Sequence, residues 1–346
     1  MSTSRCHRRN KSEQGAALLI ALGLLAVFVI LGIYYVNYMS IAWDETHYEI
    51  GRTRARLAAE SGIRLALADL QYARSQEQTI QVLNRTLEYS LPVYIKQQGA
   101  GDEGFGKSDT HESRAAVRVL DENARIDINH APASVLQRVL GIDGEMARSI
   151  VQSMPRQGET PAAPAPPAER ADGEPEAAPA PAWFLSVDEL VDRGFVSADQ
   201  YANLDTSLLT AFGVTDHSQP QGSLNLNTAS VGVLAAALDL APEKAEELAA
   251  ARPFKSLDGL ASAAGKSPDT FNYRPAPGAA AGSMPAEFAL QSRVFRLTSA
   301  GRYVRLAPAG AEDDVVTSTV EAVVQLLPDG TWRTLHWALN PDSEGR

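Results

Sequence analysis

Arg8-Arg9-Asn10-Lys11-Ser12-Glu13-Gln14-Gly15-Ala16-Ala17-Leu18-Leu19-Ile20 opens the stretch whose reading decides this fold, and no charged residue follows until Asp44. An α-helix rises about 1.5 Å per residue, so the roughly 21 mostly aliphatic residues from Ala16 to Val36 match a hydrocarbon core of about 30 Å. The basic leader, with Arg5, Arg8, Arg9 and Lys11, holds the N-terminus on the cytoplasmic side. Everything beyond Asp44 is then expected on the far side of the membrane.

Three processing fates are open to this segment. A secretory signal peptide would be cut after Ser40-Ile41-Ala42, although signal cores usually run only about 7–15 residues. An uncleaved anchor would keep the whole stretch. A cut after Gly15 would leave Ala16 as the new N-terminus at the head of the apolar helix. The last arrangement, a short basic leader, a glycine and then a helix, resembles the class III leader of type IV pilins and pseudopilins. Glycine suits such a site because a Cβ would obstruct close approach to the backbone. The resemblance makes Gly15 and Ala16 a processing site for prepilin peptidase and implies a methylated N-terminus. Most pilin-like proteins carry a glutamate at the fifth position after the glycine, where this chain has Ile20. A carboxylate in the apolar span costs about 2.5–3.5 kcal/mol unless paired. A subunit at a filament end can forgo that pairing.

The chain has 346 residues and a formal net charge of −11. Removing the leader's four basic residues and one acid leaves about −14 for the exported part. That surface disfavours nucleic acid, whose binding rests on neutralising phosphates. The only cysteine, Cys6, lies in the leader, so no internal disulfide can form and the core must be apolar.

Past the membrane the helix is expected to continue to about residue 75. No proline interrupts Gly51–Tyr72, and Ala59, Ile63, Ala66, Leu67 and Leu70 recur at helical spacing. Residues 76–113 read as loop-rich, and Ala115–Leu120 as a strand. The middle of the chain holds an internal repeat: Ile126-Asp127-Ile128-Asn129-His130-Ala131 matches Leu224-Asn225-Leu226-Asn227-Thr228-Ala229, and the same 98-residue offset pairs Leu136 with Leu234 and Ala147 with Ala245. A second block, Phe184-Leu185-Ser186-Val187-Asp188-Glu189-Leu190, matches Phe254-Lys255-Ser256-Leu257-Asp258-Gly259-Leu260 at an offset of 70 residues. The difference is the length of a proline- and alanine-rich tract at 155–182, expected to be a disordered loop. Asn129 and Asn227 are expected to cap following helices, Ser186 with Glu189 to form a capping box, and Ser256 to cap without one. After residue 290 the period becomes two: Phe295 and Leu297, then Val316, Val320, Ala322, Val324 and Leu326, alternate with polar residues. Pro328-Asp329-Gly330 turns the chain into a returning strand, Trp332–Leu339.

Residues that carry chemistry are sparse. His7, His47, His111, His130, His217 and His336 share no metal-ligand spacing, and His130, replaced by Thr228 in the second copy, reads as a surface turn position. Asp121, Glu122 and Asp127, and again Asp188, Glu189 and Asp192, are acid clusters of the kind that can hold calcium, though they read here as solvated helix caps. No catalytic, cofactor-binding or metal residues are expected. The repeat resembles the helix-hairpin-helix signature of DNA-binding modules such as the competence DNA receptor. Its Gly-h-Gly hairpin is reduced to Gly141-Ile142-Asp143 in one copy and Asp239-Leu240-Ala241 in the other, and acids there repel phosphate. A membrane-tethered receptor for DNA uptake is the alternative reading.

Taken together, the Gly15 leader, Ala58-Ala59-Glu60-Ser61-Gly62, the duplicated segments and the C-terminal strands ending at Trp337 resemble the minor pseudopilin K family of type II secretion, also called general secretion pathway protein K. The resemblance implies an α+β fold: a pilin-like long N-terminal helix packed on a C-terminal antiparallel sheet, with a large all-helical insertion made of two helix-hairpin-helix-like repeats. It divides the chain into a leader (1–15), a long helix (16–75), a first part of the pilin-like domain (76–122), the insertion (123–275) and the C-terminal strands (276–346). It also implies a non-enzymatic, single-pass inner-membrane protein with its bulk in the periplasm. Such a subunit caps or initiates the pseudopilus tip and supports export of folded proteins across the outer membrane. Its partners would be other minor pseudopilins, the major pseudopilin, prepilin peptidase and the inner-membrane assembly platform, with no nucleic acid. The family is associated with an acidic loop after the first repeat and with calcium in some members. Ser153-Met154-Pro155-Arg156 and the proline tract stand in that place here.

Overall fold

A computed structural model describes residues 11–75, 83, 85–96, 105–108, 110–155, 182–213, 224–267, 288–306, 314–327 and 329–340. The leader before Lys11, nearly all of the proline-rich tract and Pro328 lie outside the described residues. The chain opens with one unbroken helix, α1 (Lys11–Ser75, 65 residues), which begins in the leader itself. Its apolar stretch is exposed from Leu18 to Ile41, and from Gly51 onward one face is buried. That face carries Ala55, Ala58, Ala59, Ile63, Ala66, Leu70 and Ala73, spaced three and four apart as a helix requires. Leu67, expected on the same stripe, packs half-buried at its margin.

The region read as loop-rich contains an edge strand, β1 (Thr86–Leu91), and a small hairpin of β2 (Tyr94–Lys96) and β3 (Phe105–Lys107). β4 (His111–Asp121) follows, longer than expected. Within the insertion come β5 (Ile126–Asp127), α2 (Ala133–Leu140), α3 (Gly144–Gln152), α4 (Glu189–Asp192), α5 (Ala198–Ala202) and β6 (Leu209–Thr210) for the first repeat. The second supplies β7 (Leu224–Asn225), α6 (Val231–Leu238), α7 (Pro242–Ala250), α8 (Leu257–Ala264) and β8 (Phe288–Ala289). The chain ends with β9 (Val294–Arg305), β10 (Asp314–Leu326) and β11 (Trp332–Leu339). The fold is α+β: a long N-terminal helix lies on a five-stranded antiparallel sheet of order β1-β4-β9-β10-β11, and helical segments intervene.

Alternation sets the two sheet faces. Phe295 and Leu297 point toward α1 together with Val117, Val119, Val320, Ala322 and Val324, and they bury Ile63 and Leu70 of the helix. Helix and sheet touch through main chain: a Cβ built on Gly301 would lie 2.0 Å from the Ala55 carbonyl oxygen and 2.4 Å from Ala59 N. Gly62 fills the same role from the helix side, where a Cβ would fall 2.6 Å from the Cβ of Ala115.

The insertion enters from β4 and leaves into β9, neighbours in the sheet. It is not purely helical. Each repeat is closed by a two-residue parallel ladder, β5 with β6 and β7 with β8, so the second repeat reaches past residue 275. Both repeats share one core, with Leu136, Ile150 and Leu190 of the first buried with Leu234, Leu248 and Leu260 of the second. Arg138 of α2 donates from Nε to the Ala236 carbonyl in α6 (2.9 Å). Those two residues are counterparts at the 98-residue offset, and contact between equivalent positions marks an approximate two-fold relation between the repeats.

Candidate functional site

Three features could carry function: the N-terminal half of α1, the outward face of its second half, and the insertion with its junction to the sheet. Gly15 and Ala16 lie within the first turns of α1. From there the helix runs on without a break, and its exposed apolar stretch is long enough to cross a membrane. It is a candidate single-pass anchor. Tyr34, Tyr35, Tyr38 and Trp43 stand exposed toward its C-terminal end, and aromatic side chains favour a membrane–water interface. Farther along, the face turned away from the sheet keeps an apolar line: Trp43, Ile50, Leu57, Leu65 and Tyr72 are 64%, 45%, 54%, 40% and 70% exposed. Spacings of seven and eight place them on one side, the geometry of a helix–helix seam.

In the insertion the duplicated asparagines do not cap helices. Asn129 Oδ1 accepts from Phe184 N (2.8 Å), while Nδ2 donates to the carbonyls of Phe184 (2.9 Å) and Ala211 (3.1 Å). Asn227 repeats this with Phe254 N (2.8 Å) and the carbonyls of Phe254 (3.0 Å) and Leu290 (3.2 Å). An amide side chain is the neutral group that can answer one N–H and two carbonyls at once. Each asparagine therefore clamps three segments of its repeat together, and its caps are replaced by Pro132 and Ser230. The expected box at Ser186 is also absent: α4 begins after Asp188, and Glu189 reaches back to Leu185 N (2.8 Å). A capping box forms instead at Ser197 and Gln200, opening α5. Ser256 caps α8 as expected, accepting from Gly259 N (3.1 Å).

The first acid cluster is buried, not solvated. Asp121 and Glu122, at the end of β4, are 6% and 0% exposed. Asp121 accepts from Asn123 N (2.9 Å), from the Thr228 hydroxyl of the second repeat (2.5 Å) and from the Ser292 hydroxyl ahead of β9. Glu122 accepts from Thr210 of the first repeat and from Arg296 Nε (2.5 Å), while Arg296 also binds Glu321 (2.5 Å). Asn123 completes the knot, donating to the Gly213 carbonyl (2.9 Å) and accepting from Arg293 N and Val294 N (both 2.8 Å). Burial pushes Asp121 up to about 6, against the lowering effect of its three donors and with the help of neighbouring Glu122. Burial opposes the charge on Arg296, but Glu122 and Glu321 hold its pKa above the ordinary value. Three consecutive residues thus join both repeats to the sheet. No period or spacing in the sequence marks them.

Among the described residues no three His, Cys, Asp or Glu side chains converge as a metal site would require. His130 is not a free surface residue: it bonds Asp127 (2.9 Å) and stacks on Trp183 with centroids 5.3 Å apart. His47 bonds the Trp43 carbonyl, His111 bonds Ser108 and Thr110, and His336 lies beside Phe212, so these histidines stay apart. The helix-hairpin-helix geometry is present, with Gly141 and Asp239 in the left-handed region (φ 62° and 52°) between paired helices. In the first hairpin, however, Asp143 already accepts from Glu145 N (2.9 Å) and Met146 N (2.7 Å). Those two N–H groups at the start of α3 are therefore already taken by a carboxylate.

No family model matches the chain, and no curated protein matches it. Among solved structures it is similar to a chain of the GspK-GspI-GspJ complex from the enterotoxigenic Escherichia coli type 2 secretion system. That match has 14% identity, covers 85% of this chain and 99% of the other, and has a TM-score of 0.48.

Proposed function

We propose that this protein is a minor pseudopilin of the type II secretion system that caps or initiates the pseudopilus tip and supports export of folded proteins. The observation that carries the reading is the continuity of α1: one helix runs from the leader glycine through an exposed apolar span into the core of the sheet. A cut after Gly15 leaves a rod that stays in the membrane while the folded part remains fixed to it. The exposed line from Trp43 to Tyr72 extends the rod's apolar side outward, which fits bundling with the helices of other minor pseudopilins and the major pseudopilin. The insertion adds bulk at the far end of the sheet, where it would block a further subunit. The role is structural, and the partners of processing and assembly are prepilin peptidase and the inner-membrane platform. Placement is single-pass in the inner membrane with the sheet and insertion in the periplasm.

The test is the Gly15→Val variant. It should accumulate as full-length precursor and lose secretion, while N-terminal sequencing of the membrane-extracted wild-type chain should begin at Ala16. A mature chain starting near Trp43 and free of the membrane would overturn the assignment.

A further inference from the structure

The sheet has a second face, turned away from α1. Its distal end is roofed by the insertion: Val323 is fully buried, His336 lies against Phe212, and Arg296 spans the same phenyl ring at 5.7 Å. Nearer the start of α1, among the described residues, Ala300 and Thr317 are exposed on this face, ahead of the buried Val304. There the floor is flat and small, with Ala116, Ala300 and Thr319 side by side across β4, β9 and β10. Around it stand Arg114, Arg118 and Arg302, all exposed. Arg114 and Arg302 are direct cross-strand partners, an arrangement of like charges that destabilises a sheet. Arg114 is partly answered by Glu112 (2.8 Å), Glu321 is engaged by Arg296, and among the described residues Glu88 of β1, opposite Ala116, is the other carboxylate on this part of the face. Such a concentration of guanidinium groups is unexpected on a chain of net charge −11.

We propose that this part of the face docks an acidic segment of a partner protein, whose carboxylates bridge Arg114 and Arg302 at one end and reach Arg118 at the other. Arg114 and Arg118 are four residues apart on one strand, about 13 Å at about 3.3 Å per residue, which sets the spacing of the carboxylates. Arginine forks bind carboxylates in bidentate fashion, and the flat floor admits an extended or helical backbone. Lipid headgroups are out of reach on the membrane reading of α1. Gly301, beside Arg302, packs on Ala55 and Ala59, roughly 18–24 Å beyond Trp43 at helical rise, whereas the headgroup layer is only about 5–8 Å deep. The face is opposite the α1 seam, so it serves a different contact from helix bundling and does not depend on leader processing.

The test uses the purified full chain in nonionic detergent and three fluorescent probes: hexaglutamate, hexaglutamine and a single-stranded oligonucleotide of equal charge. Hexaglutamate should bind, weaken with added salt, and lose about tenfold in affinity in Arg302→Gln and in Arg118→Gln. Arg302→Gln should melt at or above the wild-type temperature, because the opposed charge is gone, and Glu88→Gln should bind more tightly. Equal hexaglutamate binding by the Arg118→Gln/Arg302→Gln double variant would overturn the proposal. So would tighter binding of the oligonucleotide, which would point to nucleic acid instead. Since Glu88→Gln predicts a gain, a variant that merely misfolds cannot imitate it.

Discussion

Replacing Gly301 by alanine puts the helix–sheet packing to its hardest test. The added methyl would sit 2.0 Å from the Ala55 carbonyl oxygen, 2.4 Å from Ala59 N and 2.9 Å from the Ala59 Cβ. Ordinary contacts begin near 3.4 Å, so α1 must withdraw locally by about 1.4 Å or the strand must bend. The two nearest obstructing atoms are main chain, and the third is a Cβ that cannot rotate away. A gap of about 0.5–1 Å already forfeits a quarter to a half of a contact's dispersion energy. Ile63 and Leu70, both essentially buried, are each worth roughly 1.5–3 kcal/mol of burial. Lost contact and main-chain strain together should then lower stability by about 2–4 kcal/mol, in line with overpacking at unyielding sites. In urea, with a slope of about 1–3 kcal/mol per molar, the unfolding midpoint of the detergent-solubilised chain should fall by about 1–2 M. The matched control is Gly232→Ala in α6, where a new methyl would meet only Leu208 at 3.6 Å and helix propensity improves by about 1 kcal/mol. The same chemical change should therefore act in opposite directions at the two sites. If Gly301→Ala unfolds with the wild-type midpoint, or Gly232→Ala loses as much, the close main-chain approach is not what holds α1 to the sheet.

Asn227→Ala leaves Phe254 N and two carbonyls without their partner and should cost about 2–4 kcal/mol, read as loss of hydrogen-exchange protection confined to the insertion. Asp121 has a folded-state pKa of about 6 against an ordinary value of 3.8, so the folded chain takes up a proton first. Stability should therefore rise as pH falls from about 7 toward 4, by about 2–3 kcal/mol from this group. Asp121→Asn should flatten that slope in melts recorded across the window, and an unchanged slope would assign it elsewhere. Leu57→Glu, on the exposed seam, should leave the melt within about 0.5 kcal/mol of wild type yet, on the proposed function, prevent co-purification with partner pseudopilins; retained co-purification would remove the seam from the interface.

Periodic features are legible in the sequence itself. The stripe from Ala59 to Leu70 and the alternation from Phe295 to Leu326 report burial directly, because one face of each element meets the core. The repeat is legible too, as its apolar positions fill one shared core. What those positions do with their polar neighbours is not. Asn129 and Asn227 look like caps because asparagine is a good cap, and their true partners lie 55 and 27 residues away. The parallel ladders span two residues each, too short for any period to register. Asp121 and Glu122 read as solvated helix caps, since nothing nearby in the chain announces Thr210, Thr228 or Arg296. The candidate processing site at Gly15 and Ala16 is legible from local order alone, whereas the arginine ledge emerges only once β4 and β9 are set side by side.

Asn123 forms the neck of the insertion. Its side-chain oxygen receives the N–H groups of Arg293 and Val294, so the chain leaves the scaffold and rejoins it at almost the same point. Asp121 and Phe295 already face each other across adjacent strands. A short hairpin turn spliced between them would delete every residue of the graft and leave the strand order intact. The inserted bulk is in that sense separable from the sheet, and strand geometry permits a miniature that lacks it.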